Sequence, residues 1–172
     1  VENGEVWYYT GAYSGNFNCI IKSRDLVTWE YVAAPDFTNE SLWENAVYVV
    51  GDKCWYFVRQ DECMQGFLTA YDLKTGMWAV PTLIRDAQSR SDFLWLRDEL
   101  YLIHAPIDRS GFGIVRINRE NPAASTPVAV ADMHDSLFYP YTESYGDYAY
   151  LSYTVSRRHI RLARFPIAPF LG

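Results

Sequence analysis

The hydrophobic and polar positions along the chain form short runs that favour strands over helices. The stretch LWENAVYVVGDKCWYFVRQD, residues 42–61, contains two apolar runs separated by a Gly-Asp pair. Glu44 begins the first run and Arg59 ends the second, so each predicted strand carries a charge at one end. Elsewhere, no window of about eleven residues combines a helical period with capping residues. The pattern therefore predicts an all-β chain.

One pattern, a turn containing Gly or Asp followed by an aromatic strand, occurs four times. The copies are anchored by Tyr8, Tyr56, Tyr101 and Tyr150, at spacings of 48, 45 and 49 residues. A second strand follows each copy, and turns such as SRDLVTW and DLKTGMW close the first two units. A period of this length with several short strands is typical of β-propeller blades. Evenly spaced hairpins of a β-sandwich are the alternative interpretation.

The repeat divides the chain into units at residues 1–43, 44–88, 89–137 and 138–172, all within one propeller fragment. We therefore predict about three to four four-stranded antiparallel blades. Propellers close with 4 to 8 blades, so this is expected to be a partial ring, the C-terminal half of a five- or six-bladed propeller. Its exposed sheet edges should meet the remaining N-terminal blades or a second copy of the chain.

Composition narrows the possible partners. The 172 residues carry a formal net charge of −6 and no run of Lys or Arg, which argues against a nucleic-acid partner. No apolar stretch reaches the roughly 20 residues that a membrane helix needs. The three cysteines lack metal-ligand spacing, and neither a metal nor an organic cofactor is predicted. The 14 Tyr, 9 Phe and 6 Trp residues would suit strands and, in part, a carbohydrate-binding surface.

Three candidate site residues lie at nearly equivalent positions of successive units. Glu44 precedes its anchor tyrosine by 12 residues, and Arg90 and Tyr139 each precede theirs by 11. These positions are the predicted starts of the innermost strands, which converge on one face of a propeller. Arg59 ends an antiparallel second strand and should return to the same face. The four side chains are therefore expected to meet in one pocket.

Three segments resemble the sialidase-like propellers that carry BNR repeats. SRDLVTW is similar to their aspartate-box turn, although it lacks the usual glycine and is one residue shorter. WENAVYVVGDKCWYFVR is similar to the segment in which an arginine follows a glutamate by about fifteen residues. FYPYTESYGDYAYLSYTVSRRHIRLARF resembles the closing blade, with its Tyr-Pro pair.

The resemblance implies a glycoside hydrolase mechanism. Tyr139 would be the nucleophile that attacks the anomeric carbon, and Glu44 the base that accepts its proton. Arg59 and Arg90 would be two of three arginines that bind the substrate carboxylate. The first arginine and the aspartate acid belong to early blades of the family, to which nothing in this chain corresponds. A secreted or periplasmic location is expected from the resemblance alone.

Other interpretations stay open from the sequence. Tyr141 competes with Tyr139, and Arg85 with Arg90, while Asp92 and His104 match no family role. The segment KSRDLVTWEYV also resembles a turn of five-bladed arabinanase and invertase-type glycosidases, in which Glu44 would be a general acid. A propeller that binds a glycan or a protein without catalysis is the third hypothesis.

Overall fold

A computed structural model of the chain describes residues 4–15, 17–37, 41–62, 65–106, 108–131 and 136–168. These ranges form four antiparallel sheets, in which strands that follow each other along the chain are neighbours. The first sheet contains β1 (Tyr8–Ser14), β2 (Phe17–Ser23) and β3 (Glu30–Ala33). The second contains β4 (Leu42–Val50), β5 (Lys53–Gln60), β6 (Gln65–Asp72) and β7 (Thr82–Ile84).

The third and fourth sheets continue the same pattern. The third contains β8 (Gln88–Leu96), β9 (Glu99–Ala105), β10 (Phe112–Arg116) and β11 (Thr126–Ala131), with a short 3-10 helix at Pro122–Ala124 before β11. The fourth contains β12 (Leu137–Tyr145), β13 (Tyr148–Val155) and β14 (His159–Pro166). In the described ranges, no helix is long and apolar enough to cross a membrane.

The first strands of successive sheets lie side by side. β4 contacts β8, β8 contacts β12, and β1 lies on the other side of β4. Two-residue turns connect β4 to β5, β8 to β9 and β12 to β13 at one common end. We call this the turn end, and the opposite end, where β4, β8 and β12 begin, the site end. This radial order confirms the predicted propeller class, with two four-stranded and two three-stranded blades in the described part of the chain.

Two turns of similar chemistry show how the first sheet corresponds to the second. Asp25, between β2 and β3, accepts hydrogen bonds from the backbone N–H groups of Val27 and Thr28. Asp72, the last residue of β6, accepts them in the same way from the N–H groups of Lys74 and Thr75. β1–β3 therefore correspond to β5–β7, and the described first sheet holds no counterpart of β4.

A layer of buried side chains fills each space between neighbouring sheets. Between the second and third sheets, Trp55 and Phe57 pack with Phe93 and Leu102. The other two spaces are filled by two further clusters, one joining Ile20 to the second sheet and one joining the third sheet to the fourth. Burial of apolar surface at about 25 cal/mol per Å² is thus the main force holding the sheets face to face.

Polar side chains lock the first two sheets together inside one of these layers. The Asn45 amide donates to Asn18 Oδ1 at 2.8 Å and to the Ala12 carbonyl at 3.1 Å, and lies 3.0 Å from the Tyr56 hydroxyl. A Cβ on Gly11 would overlap the same amide, which explains the glycine there. These mutual hydrogen bonds offset the cost of burying the groups, although Asn18 Nδ2 has no partner among the described residues.

Both sides of the stack leave apolar side chains in solvent. Ile160 and Leu162 of β14 are 83% and 71% exposed, and Phe17 of β2 is 56% exposed. The expectation that such edges meet further blades or a second copy stays a prediction. Of the three cysteines, Cys19 and Cys54 are buried and unbridged, and Cys63 lies outside the described residues.

Candidate functional site

Each of the three central strands has an irregularity close to its start. The pairing of β4 with β5 shifts between Leu42 and Asn45, and that of β12 with β13 shifts between Phe138 and Tyr141. β8 shows the same shift between residues 88 and 92. Such bulges redirect side chains and are common beside active sites. The residues inside these three shifts include Glu44, Arg90 and Tyr139.

The bulges of β8 and β12 contact each other through unusual backbone. Ser89 and Tyr139 have φ angles of 67° and 56°, in the left-handed region that ordinary side chains avoid. The Tyr139 N–H donates to Ser89 Oγ at 3.4 Å. Strain of this kind persists only where the surroundings impose it, and it concentrates at functional sites. The arrangement places the Tyr139 side chain outward, with 46% of its surface exposed.

Glu44 and Arg59 form a nearly buried ion pair at the site end. Arg59 Nη1 lies 2.5 Å from Glu44 Oε2, and their side chains are 10% and 14% exposed. Arg59 Nη2 also contacts the Asp61 carboxylate, and the guanidinium carbon lies 5.7 Å from the centre of the Trp43 ring. The antiparallel pairing of β4 and β5 brings these residues together across fifteen positions of sequence. A carboxylate that accepts protons and a cation that binds anions are thus adjacent.

Arg109 lies near three of the four predicted site residues, Glu44, Arg59 and Tyr139, but it was not predicted from the sequence. Desolvation lowers the pKa of its guanidinium, and so do the charges of Arg59 and Arg157, whereas Glu44 and Tyr139 raise that pKa. These interactions place Arg109 within electrostatic range of the candidate base and the candidate nucleophile. Arg109 lies in the loop that follows β9, and both β9 and β5 end at the site end. That correspondence with Arg59 is the signal that could have identified it.

Arg90 and Tyr139 are less connected than expected. Arg90 is exposed, and its charge acts on the neighbouring Asp92 carboxyl. Among the described residues, no hydrogen bond or ion pair joins Arg90 to Glu44, Arg59 or Tyr139. In the same ranges, none joins the Tyr139 hydroxyl to Glu44. Tyr141, the competing phenol, is 60% exposed on the same strand.

Asp92 has a structural task between two central strands. Its Oδ2 accepts the Thr142 N–H at 2.7 Å and the Thr142 hydroxyl at 3.1 Å, which ties β8 to β12. Burial raises the pKa of this carboxyl, although the Thr142 hydrogen bonds act in the opposite direction. The Thr142 hydroxyl also lies 3.1 Å from the Phe93 carbonyl oxygen, so its one proton can be donated to either acceptor. Asp92 therefore positions the strand that carries Tyr139.

His104 also has surroundings that suit a structural side chain. It is 8% exposed, and its imidazole faces Gly113, where a Cβ would overlap the ring. Burial lowers its pKa, which favours the neutral form. Within the described ranges, no group of three or more His, Cys, Asp or Glu side chains is arranged to hold a metal ion.

Comparisons with known proteins identify the fold. No family model matches the chain, and no curated protein matches it. Among solved structures, it is similar to Trypanosoma rangeli sialidase, with 17% identity and a TM-score of 0.69 over 99% of this chain and 31% of that one. It is also similar to the GH43 protein BlXynB from Bacillus licheniformis, with 14% identity and a TM-score of 0.66 over 92% and 37%.

A further match links the chain to another glycosidase. An exo-β-1,3-galactanase from Phanerochaete chrysosporium shares 15% identity and a TM-score of 0.67, over 91% of this chain and 43% of that one. The fold is that of propeller glycosidases, as predicted. The chain spans less than half the length of each of these proteins.

Proposed function

We propose that this chain forms part of a propeller glycosidase that hydrolyses an acidic sugar by the sialidase-type mechanism. The proposal is carried by one observation: Glu44, Arg59, Arg109 and Tyr139 come from three blades and gather at one end of the central strands. The bulges in all three strands support it, because they aim side chains away from the sheets. The resemblance of the Glu–Arg and Tyr-Pro segments to sialidase-like propellers supports the same mechanism.

The charges favour a phenol nucleophile over a carboxylate. A sialic acid carries its carboxylate beside the anomeric carbon, so an anionic nucleophile would be repelled. The Tyr139 oxygen would attack that carbon while its proton passes to Glu44, and the bond to the leaving group would break. Water would then release the sugar from the tyrosyl intermediate. The acid that protonates the leaving group would come from a blade to which nothing in this chain corresponds.

The arginines would bind the substrate carboxylate. Arg59 is held beside Glu44 and Trp43, so its planar guanidinium is already oriented. The exposed side chain of Arg90 would have to change its conformation to bind the same carboxylate. This arrangement of arginines predicts that the binding partner is an acidic carbohydrate.

Kinetics of the Tyr139→Phe variant would test the mechanism. A complete propeller containing this chain would be assayed with fluorogenic α-sialoside, α-arabinofuranoside, β-xyloside and β-galactoside. We expect turnover of the sialoside, a loss of at least about a thousandfold in kcat for Tyr139→Phe, and little change for Tyr141→Phe. Full activity of Tyr139→Phe would remove Tyr139 as the nucleophile.

A carboxylate glycosidase is the second candidate, because GH43 structures match the same span of the chain. Glu44 would then be the general acid, paired with another carboxylate. Asp92 is a poor partner because both Thr142 hydrogen bonds occupy it. Turnover of the arabinofuranoside or xyloside alone, with Glu44→Gln inactive and Tyr139→Phe active, would favour this candidate. Binding of sugars without any turnover would favour the non-catalytic propeller.

A further inference from the structure

A cleft opens between the second and third sheets at the turn end, away from the candidate site. It consists of two adjoining cavities with volumes of about 260 Å³ and 280 Å³. The residues that line both cavities are Lys53, Trp55, Asp72, Arg119 and Glu120. Cavities of this size suit a ligand as small as a single sugar ring. We call the two cavities together the turn-end cleft.

Local hydrogen bonds hold both walls of the turn-end cleft in place. On one side, two backbone N–H groups of the turn after β6 donate to Asp72 Oδ1, at 2.9 Å and 2.8 Å. On the other side, the Glu120 N–H donates to Asn118 Oδ1 at 3.0 Å. The Arg119 guanidinium on that side donates to the Asp98 carbonyl at 2.9 Å. The cleft is therefore formed before any ligand binds, which lowers the entropic cost of binding.

Apolar side chains supply much of the surface of the turn-end cleft. Trp55 is buried, Trp78 is half-buried and Met77 is exposed. The Trp78 ring packs against Tyr56 and Tyr71, whose ring centres lie 5.6 Å and 5.1 Å from its own. An indole held in this way can contact the apolar C–H face of a sugar ring, and it loses little conformational freedom when the ligand binds.

The charges in the turn-end cleft balance. The charged residues that line both cavities are two cations and two carboxylates: Lys53, Arg119, Asp72 and Glu120. A further carboxylate, Asp52, lines one cavity and is paired with Lys74 at 2.6 Å. The candidate site, in contrast, brings several arginines together and suits an anion. A cleft without excess charge favours an uncharged ligand that offers both hydrogen-bond donors and acceptors.

Lys53 and Glu120 are available to such a ligand. Both side chains are exposed, and neither forms an ion pair in the described part of the chain. An ammonium group donates hydrogen bonds and a carboxylate accepts them, so the two residues can bind hydroxyl groups of one sugar ring. Trp78 and Met77 would contact the apolar surface of the same ring.

We propose that the turn-end cleft is a second carbohydrate site, which binds a neutral pyranose through Lys53, Glu120 and Trp78. Strands rise about 3.3 Å per residue, so the nine residues of β4 separate the site end from the turn end by roughly 30 Å. One sugar ring cannot reach both ends. The cleft therefore holds a different part of a polysaccharide from the part at the site end, and the two contacts together raise the overall affinity.

NMR titration of the chain would test the turn-end cleft. The methyl β-pyranosides of galactose, glucose and xylose would each be added to the ¹⁵N-labelled chain. We expect saturable shifts of the Trp78 indole N–H and the Glu120 backbone N–H with at least one of these glycosides. Glu120→Gln and Lys53→Met should each weaken that binding about tenfold, because each removes a charge-assisted hydrogen bond. Glu30→Gln is the matched control, since Glu30 is an exposed glutamate on β3, outside the cleft.

Several outcomes would overturn the second carbohydrate site. These are no saturable shift with any of the three glycosides, binding that Glu120→Gln and Lys53→Met leave unchanged, or equal weakening by Glu30→Gln. Tighter binding of methyl α-sialoside than of every neutral glycoside at the same signals would also overturn it, because the cleft would then prefer an anion.

The titration does not depend on the hydrolysis proposed for the site end. Tyr139→Phe should bind the neutral glycosides at the turn-end cleft like the wild-type chain, whether or not any glycoside is cleaved. Failure of the cleft to bind would leave the proposed hydrolysis unaffected, and failure of hydrolysis would leave the binding unaffected.

Discussion

The two ends of the central strands differ in the regularity of their strand pairing. At the turn end, β4, β8 and β12 pair regularly up to two-residue turns: Gly51–Asp52, Arg97–Asp98 and Gly146–Asp147. At the site end, all three strands lose register and longer loops follow. Both ends contain residues with positive φ, but at the turn end the hairpin type requires them. At the site end they also occur inside the register shifts of β8 and β12, at Ser89 and Tyr139, where no hairpin turn requires them.

The same contrast appears in the ion pairs. At the site end, Arg59 and Glu44 are 10% and 14% exposed. At the turn end, Arg97 and Asp147 are 2.7 Å apart but 57% and 81% exposed. A buried pair is costly to break, although it gives little net stability compared with an apolar replacement. An exposed pair joining adjacent turns has only a small energetic role.

Removing the arginine from each pair should separate the two ends most strongly. We expect Arg59→Leu to destabilise the chain by about 3 kcal/mol, because Glu44 is left buried without its partner. Arg97→Leu should change stability by no more than about 0.5 kcal/mol. Urea denaturation would measure both, with the double variant Glu44→Leu and Arg59→Leu as a control that regains much of the loss. Equal effects at the two ends would refute the contrast.

Asp92 provides a second test at the site end. Asp92→Ala should cost about 2 kcal/mol, since the Thr142 N–H and hydroxyl lose a charged acceptor. Burial raises the pKa of the Asp92 carboxyl in the folded chain. The folded chain should therefore become more stable as the pH falls from the folded pKa of Asp92 to the pKa of an ordinary aspartate.

The pH dependence offers a control for that assignment. Asp92→Asn keeps an oxygen acceptor but cannot titrate, so the gain in stability on acidification should be smaller than in the wild-type chain. Urea midpoints between pH 7 and pH 4 would show this. An identical pH profile for the two proteins would mean that the pKa of Asp92 is not raised in the folded chain.

At the turn end, glycine conformation should account for the effect of substitution. Gly51 has a φ of 58°, and a Cβ there would meet no atom within 4 Å. Gly51→Ala should therefore cost about 1 kcal/mol from backbone conformation alone. Gly51→Asn should cost less, because asparagine tolerates the left-handed region. A larger cost for asparagine in thermal unfolding would show that the turn type differs.

The smallest effect should come from the aspartate turn between β2 and β3. Hydrogen bonds from the Thr28 and Val27 N–H groups, with one from the Ser23 hydroxyl, lower the pKa of Asp25 from 3.8 to about 2. The contribution of Asp25 to the stability of the folded chain is therefore complete above pH 3.8, and it is lost as the pH falls from 3.8 to about 2. Asp25→Asn should flatten the stability curve in that interval. An unchanged slope would contradict this account.

Much of the fold could be predicted because propeller blades repeat local chemistry. The aromatic anchors and the Gly-Asp turns mark the hairpins, and the antiparallel return of β5 predicts that Arg59 approaches Glu44. The bulges could not be predicted from the sequence, since nothing near Ser89 or Tyr139 requires positive φ. Arg109 was missed because its position depends on how the loop after β9 folds over β12. The Asp92–Thr142 link joins residues 50 positions apart and depends on packing between blades.

The central claim is that the site end binds an acidic sugar with Tyr139 facing the anomeric carbon. A crystal structure of a complete propeller containing this chain, soaked with a sialic acid transition-state analogue, would test it most directly. The account predicts the ligand carboxylate within hydrogen-bond distance of Arg59, and the Tyr139 oxygen below the ring beside the anomeric carbon. A ligand bound at the turn end, or one held by Glu44 with Tyr139 facing solvent, would contradict it.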